Sequence, residues 1–184
     1  MHEHPAPDGC AGLGSCAETG GGGARASSGS GLPFSALQAV PLARDHIDGI
    51  LMLENASYHM PWTRRMFEDE LETERAYFWV FTDREREGAI RACGGFWDMV
   101  IDGHITKVTV AEGYRGQGLG KAVVRFLFDE MARRGLECAT LEVRASNTAA
   151  IALYETCGFT RVGQRKAYYD DGETALVYTR TLQA

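Results

Sequence analysis

From Val108 to Lys121 the chain reads Val-Thr-Val-Ala-Glu-Gly-Tyr-Arg-Gly-Gln-Gly-Leu-Gly-Lys, a β-branched run that gives way to a glycine-rich turn and then to a helix start. Such a turn is suited to an anion. Gly116, Gly118 and Gly120 let the backbone come close to a phosphate, while the helix opening at Leu119 directs unpaired N–H groups and its positive end toward it. A dinucleotide fingerprint would need GxGxxG, and a Walker loop would need GxxxxGK followed by Ser or Thr; neither spacing is present. Glycines that merely relieve backbone strain account for one or two of these positions. They do not account for three interleaved with Arg115 and Gln117 ahead of an amphipathic helix.

A second segment, LEVRASNTAAIALYETCGF over Leu141 to Phe159, sets Glu142 on a predicted strand and Asn147 and Tyr154 on the helix that follows. Seven residues separate Asn147 from Tyr154, which puts both on one side of that helix and facing the cleft that Glu142 would share. Each residue also has a purely structural reading. Glu142 can be a solvated strand residue, Tyr154 a core aromatic with its hydroxyl at the surface, and Asn147 a helix N-cap.

The pattern Arg115-x-x-Gly118-x-Gly120 resembles the Q/R-x-x-G-x-G/A motif with which the GNAT N-acetyltransferases hold the pyrophosphate of coenzyme A. LEVRxSNxxAxxLYExxGF is similar to the C-terminal motif of the RimI family within them, the ribosomal-protein-alanine acetyltransferases. The resemblance runs from about Leu37 to the C-terminus. It implies the acyl-CoA N-acyltransferase fold, a mixed and mostly antiparallel central sheet flanked by helices, with acetyl-CoA as co-substrate and no metal. In such enzymes the amine attacks the thioester directly, so one group must take a proton from an ammonium and another must give one to the departing thiolate. By position, Glu142 corresponds to the general base, Tyr154 to the general acid and Asn147 to a contact with the pantetheine. A free tyrosine titrates near pH 10, which suits protonating a thiolate.

The same resemblance gives the pyrophosphate to Arg115, Gly116, Gln117, Gly118, Leu119, Gly120 and Lys121. Val108, Thr109 and Val110 would offer main-chain groups to the pantetheine, and a splay beside their strand would free an N–H to polarise the thioester carbonyl. Gly116 stands where the family commonly has a larger basic residue, which leaves Lys121 for the phosphate. The implied acceptor is the N-terminal alanine of a small-subunit ribosomal protein, entering between the early helix loop and the late hairpin. Trp62, Tyr168 and Tyr169 are candidates to line that entrance, although aromatic residues of this kind serve packing as often as contact. Two other readings stay open: a broad-specificity protein N-terminal or small-amine acetyltransferase, and an acyl-CoA-binding sensor module without catalysis. Glu142 and Tyr154 occurring together argue against the sensor. Cys157 has no nearby His to activate it as an acyl carrier and reads as a packed thiol.

These side chains need a framework, and the surrounding sequence supplies one. A strand is expected at Ser35 to Val40. Asp45 is a candidate N-cap for a helix bearing Ile47, Ile50, Leu51 and Leu53. After the loop Ala56 to Trp62, Thr63 caps a short helix with Met66, Phe67 and Leu71 on one side. Ala76 to Thr82, Ala89 to Ile101 and His104 to Val110 read as strands, the last two joined by Asp102-Gly103 as a hairpin signal. Leu119, Ala122, Val123, Phe126, Leu127 and Met131 mark a helix from Leu119 to Arg134, closed by Gly135. Cys138 to Arg144 is a strand and Asn147 to Cys157 a helix. Two last strands, Thr160 to Tyr169 and Thr174 to Arg180, flank Asp170-Asp171-Gly172. The result is an α+β domain over residues 34 to 184.

Composition bounds the rest. With 184 residues, 45% of them hydrophobic, the chain can bury one substantial core. A formal net charge of -6 gives no electrostatic case for nucleic acid and favours a cationic acceptor by steering. No apolar run reaches the roughly 20 residues of a membrane span. The five cysteines, Cys10, Cys16, Cys93, Cys138 and Cys157, are odd in number and lack CxxC spacing, and no signal-peptide pattern occurs; reduced thiols in the cytoplasm are expected. Residues 1 to 33 hold nine of the 22 glycines and few bulky apolar side chains. They read as a disordered extension, or as an upstream start codon translated in error, outside the fold. His2 and His4 flank Glu3 there without a second shell to orient them, so no metal site is assigned. Oligomeric state is not legible in the sequence, with a monomer favoured.

Overall fold

The computed structural model describes residues 36–84 and 88–182; the extension expected over residues 1 to 33 lies outside them. Strands β1 (Leu37–Pro41), β2 (Ala76–Asp83), β3 (Ile90–Asp98), β4 (Asp102–Val110), β5 (Cys138–Arg144), β6 (Thr160–Arg165) and β7 (Ala175–Thr181) form one sheet in the order β1-β2-β3-β4-β5-β7-β6. Every pairing is antiparallel except β4 with β5. The expected α+β fold, a mixed and mostly antiparallel sheet flanked by helices, is what forms.

Helices α1 (Ile47–Ser57) and α2 (Arg64–Glu72) cover one face, packing Ile47, Ile50, Phe67 and Trp62 on Phe78, Val80 and Cys93. Helices α3 (Leu119–Arg133) and α4 (Thr148–Thr156) cover the other, where Val123, Leu127, Met131 and Tyr154 meet Ile105, Val108, Leu141 and Val143. Each fully buried Leu, Ile or Val contributes about 1.5–3 kcal/mol. The burial along β5 alternates strictly, with Ala139, Leu141 and Val143 buried and Thr140, Glu142 and Arg144 half-open, as a strand with one core face requires.

Thr63 caps α2 as expected, its Oγ1 accepting from Met66 N at 3.4 Å. Asp45 does not cap α1. It sits in a one-turn 3-10 segment, Arg44–His46, and α1 starts at Ile47 without a side-chain cap. The β3–β4 turn also differs from expectation: the tip is Met99 to Ile101, while Asp102 and Gly103 are already in β4. Asp98 Oδ1 accepts from Val100 N at 2.8 Å and Met99 N donates to Asp102 O at 2.8 Å, so an aspartate side chain closes a turn in which Val100 takes φ 81°. Gly103 serves packing instead, since a Cβ there would lie 2.6 Å from Met131 Sδ of α3. β6 stops at Arg165, short of Tyr169, because the chain turns at Ala167 with φ 49°.

Candidate active site

β4 and β5 pair only through Asp102–His104 and Cys138–Thr140. Beyond that, β4 remains bonded to β3 as far as Val110 and β5 to β7 as far as Arg144, so the two strands part in the middle of the sheet. The gap leaves main-chain groups of Val108 to Val110 without a strand partner on that side. On the α3/α4 side it opens into a cleft of about 340 Å³ bounded by Val108 and Val110, by the glycine turn and Lys121, and by Ala149, Ala152 and Leu153 of α4.

The glycines divide their labour. Gly116 and Gly118 have φ 70° and 83° with open space around a would-be Cβ, so backbone conformation alone demands glycine at both. Gly120 instead lets α4 approach: a Cβ there would stand 3.2 Å from Leu153 Cδ2. Arg115 reaches back, its Nε to Val110 O at 2.9 Å and its Nη2 to Ser57 Oγ at 2.8 Å, and Gln117 Nε2 donates to Gly113 O at 2.9 Å. Both side chains brace the turn. Arg115 still lines the cleft with the Lys121 cation, beside the start of α3, whose first N–H groups, as in every helix, have no partner within the helix.

Glu142 lies on the opposite face of β5 from Tyr154. Its carboxylate meets His104 Nε2 at 2.9 Å and Arg165 Nη2 at 3.2 Å, with a tenth of the side chain exposed. Burial pushes its pKa up, but the His104 hydrogen bond and charge, joined by Arg165, outweigh that and hold it below the ordinary glutamate value. His104 is itself oriented by Thr140 Oγ1, 3.0 Å from Nδ1. Tyr154 is fully buried among Leu141, Val143 and Phe159, with the Phe159 ring edge-on at 5.6 Å. The two residues flank β5 from opposite faces instead of lining one face of a cleft. Asn147 caps α4, its Oδ1 accepting from Ala150 N at 3.0 Å.

Trp62 is 2% exposed and packs on Phe67 and Phe78 at 5.2 and 6.2 Å, which makes it core. Tyr169 is buried and Tyr168, half-buried, meets it edge-on at 5.2 Å. Burial raises the Cys157 thiol pKa, in keeping with a packed and unreactive sulfur. Among the described residues no cluster of three or more His, Cys, Asp or Glu is placed to hold a metal, and no helix is long and apolar enough to cross a membrane.

Sequence reasoning missed His104 and Arg165, which come to Glu142 from β4, beside β5, and from β6, two strands away across β7. It also missed a buried charge network under the site. Lys107 and Glu54, both wholly inaccessible, pair at 2.6 Å. Glu54 Oε1 accepts from Thr109 Oγ1 at 2.8 Å and Oε2 from Trp62 N at 3.2 Å, while Tyr58 OH lies 3.0 Å from Thr109 Oγ1. A signal for it existed in the sequence. Glu54 continues the Ile47, Ile50 stripe of α1, and Lys107 sits within a β-branched run, so each charge falls on a face destined for burial.

The sequence profile of the acetyltransferase (GNAT) family matches residues 47–159. The chain is 34% identical over 129 residues to the [ribosomal protein bS18]-alanine N-acetyltransferase of Escherichia coli (strain K12), covering 68% of this chain and 84% of that protein. The crystal structure of the ribosomal-protein-S18-alanine N-acetyltransferase from Escherichia coli superposes with a TM-score of 0.71 at 30% identity, over 80% of this chain and 95% of that one. A chain in the crystal structure of the NatC complex bound to Gag peptide and CoA superposes with a TM-score of 0.67 at 25% identity, over 80% and 99%. The sheet parted between β4 and β5, the glycine turn at its mouth and these similarities lead to one conclusion: the chain belongs to the GNAT acetyltransferase family, of RimI type.

Proposed function

We propose that this enzyme transfers the acetyl group of acetyl-CoA to the N-terminal α-amine of a small-subunit ribosomal protein, with alanine as the accepting residue. The observation that carries the reading is Glu142, a carboxylate held ionised by His104 and Arg165 on the α1/α2 face of the sheet, beside the gap whose other side opens on the glycine turn. Donor and acceptor would meet through that gap. The cleft suits coenzyme A: two glycines in left-handed conformation expose backbone N–H groups, Lys121 adds a cation, and Val108 and Val110 offer apolar walls and main-chain groups to the pantetheine. Coenzyme A supplies an activated thioester.

The chain's own residues then handle protons. The α-amine, titrating near 8, first loses one proton to solvent and attacks as the neutral amine; Glu142 takes the second as nitrogen bonds to the acetyl carbon and the carbon–sulfur bond breaks. Tyr154 gives one to the departing sulfur. A carboxylate with a depressed pKa is a weak base toward an ammonium titrating near 8, so the proton suited to Glu142 is the one left on nitrogen once the C–N bond forms, when that nitrogen has become far more acidic. The similarity to the [ribosomal protein bS18]-alanine N-acetyltransferase of Escherichia coli supports the ribosomal acceptor, and a cytoplasmic setting accords with it. The Gag peptide and CoA bound in the NatC structure support a peptide as acceptor beside a coenzyme A donor. Mass spectrometry after incubating the chain with acetyl-CoA and an Ala-starting ribosomal peptide tests the proposal. One acetyl on the α-amine is expected; acetylation confined to lysine side chains or to a polyamine would refute it.

A further inference from the structure

The turn between β6 and β7 is gathered around one cation. Arg144, the last residue of β5, donates from Nη1 to Asp171 Oδ2 at 2.7 Å and to Glu173 Oε2 at 2.9 Å, and its guanidinium lies 3.9 Å from the centre of the Tyr169 ring. Glu173 accepts from Ser146 N at 2.8 Å through its other oxygen, which ties the turn to the β5–α4 junction. Its carbonyl accepts from the N–H groups of Tyr168 and Tyr169 at 3.0 and 3.2 Å, and Ala145 N donates to Thr174 O at 3.0 Å. Burial opposes the Glu173 charge, yet the Ser146 and Arg144 hydrogen bonds more than offset it and lower its pKa.

These contacts hold a conformation the backbone does not favour. The chain enters the turn through Ala167 at φ 49°, a left-handed geometry that persists where surrounding contacts over-determine it. A planar guanidinium can serve two carboxylates and an aromatic face at once, which an ammonium cannot. The anchored segment carries Tyr168 and follows directly on Arg165, which contacts Glu142 at 3.2 Å. Arg144 and Glu142 share the half-open face of β5. The position of Tyr168 relative to the Glu142 carboxylate therefore depends on Arg144.

We propose that Arg144 is a positioning residue for the acceptor: joined to Asp171, Glu173 and Tyr169, it fixes the residue 166–174 turn beside Glu142 and so aligns the incoming amine without contacting the acetyl donor. This rests on the reading of Glu142 as the base. The test compares the full chain with R144Q and R144K, measuring steady-state kinetics with an Ala-starting peptide and with acetyl-CoA separately, and amide hydrogen exchange over residues 166–174. R144Q raises the acceptor KM on the order of tenfold. It leaves the acetyl-CoA KM and kcat within about twofold, and speeds exchange in the turn but not in α3. R144K recovers part of the loss, keeping charge but not the fork. An unchanged acceptor KM, or acceptor and donor KM rising together, overturns the proposal, as does unchanged exchange in R144Q whatever the acceptor. If the unsubstituted chain acetylates spermidine and not the peptide α-amine, the acceptor reading fails separately. The Arg144 comparison is then decided with spermidine, where an unchanged KM overturns it.

Discussion

Replacing Glu70 by Gln should stabilise the protein at pH 8 and do little at pH 5. Glu70 of α2 is 6% exposed, and its carboxyl accepts from Trp97 Nε1 at 3.0 and 3.2 Å. Burial drives its pKa from 4.5 to about 7, the Trp97 hydrogen bond pulling down against burial and the Asp69 charge adding to the rise. The folded chain thus retains a proton that the unfolded chain releases between pH 4.5 and about 7. The native state binds more protons in that window, so stability falls as pH rises through it and levels off above. The span from 4.5 to about 7, at 1.36 kcal/mol for each pH unit, gives a loss of about 3 kcal/mol by pH 8. Glutamine preserves the shape and the acceptor for Trp97 without a proton to lose. The stability difference between variant and parent should therefore grow by about 2.5 kcal/mol from pH 5 to pH 8, or roughly 5–10 °C in Tm for a domain of this size. Urea denaturation followed by tryptophan fluorescence across that range measures it, and other titrations cancel in the difference. A difference that stays flat within about 0.5 kcal/mol would refute the assignment of a protonated buried carboxyl.

Glu142→Gln and Tyr154→Phe should each lower kcat by about 10²-fold while calorimetric coenzyme A binding persists; near-normal turnover in both would remove the acid–base assignment. His104→Ala removes the partner that lowers the Glu142 pKa, so the acidic limb of the kcat/KM profile should move to higher pH, and a limb that stays in place argues against Glu142 as the titrating base. Lys107→Met leaves the Glu54 carboxylate buried without its cation and should cost about 3–5 kcal/mol in urea unfolding, much of it recovered in a Glu54→Leu/Lys107→Met double variant; a non-recovering double variant would mean the loss came from packing. Gly118→Ala imposes a side chain at φ 83° and should cost about 1–2 kcal/mol together with weaker coenzyme A binding, whereas unchanged affinity would separate the turn from the donor site.

What could be read from the sequence was what is local in the chain. The glycine turn, α3 and its stripe, and the β5–α4 unit each occupy a contiguous stretch whose period and capping residues agree, and each formed within a few residues of expectation. The failures share a cause. Asp102-Gly103 looks like a hairpin because Gly usually marks a turn, yet here Met131, some thirty positions downstream, needs the missing Cβ. Trp62 could be read as contact or core, and only the arrival of Phe67 and Phe78 from different elements decides for core.

The two halves of the candidate site differ in the same way. The donor side is built from one turn and the helix ends beside it, so its residue types and spacing carry the chemistry directly. The proposed base is assembled across the sheet: His104 from β4, Glu142 from β5 and Arg165 from β6, with β7 lying between the last two. No spacing along the chain encodes that meeting. Nor does spacing reveal that Glu142 and Tyr154 lie on opposite faces of β5, because a strand's parity is fixed only once the core chooses Leu141 and Val143. Acceptor selection lies on the non-local side of this division. A change in acceptor can therefore be made through residues such as Arg144 or Arg165 while the glycine turn is left untouched, and a match to the turn alone identifies the donor and not the amine.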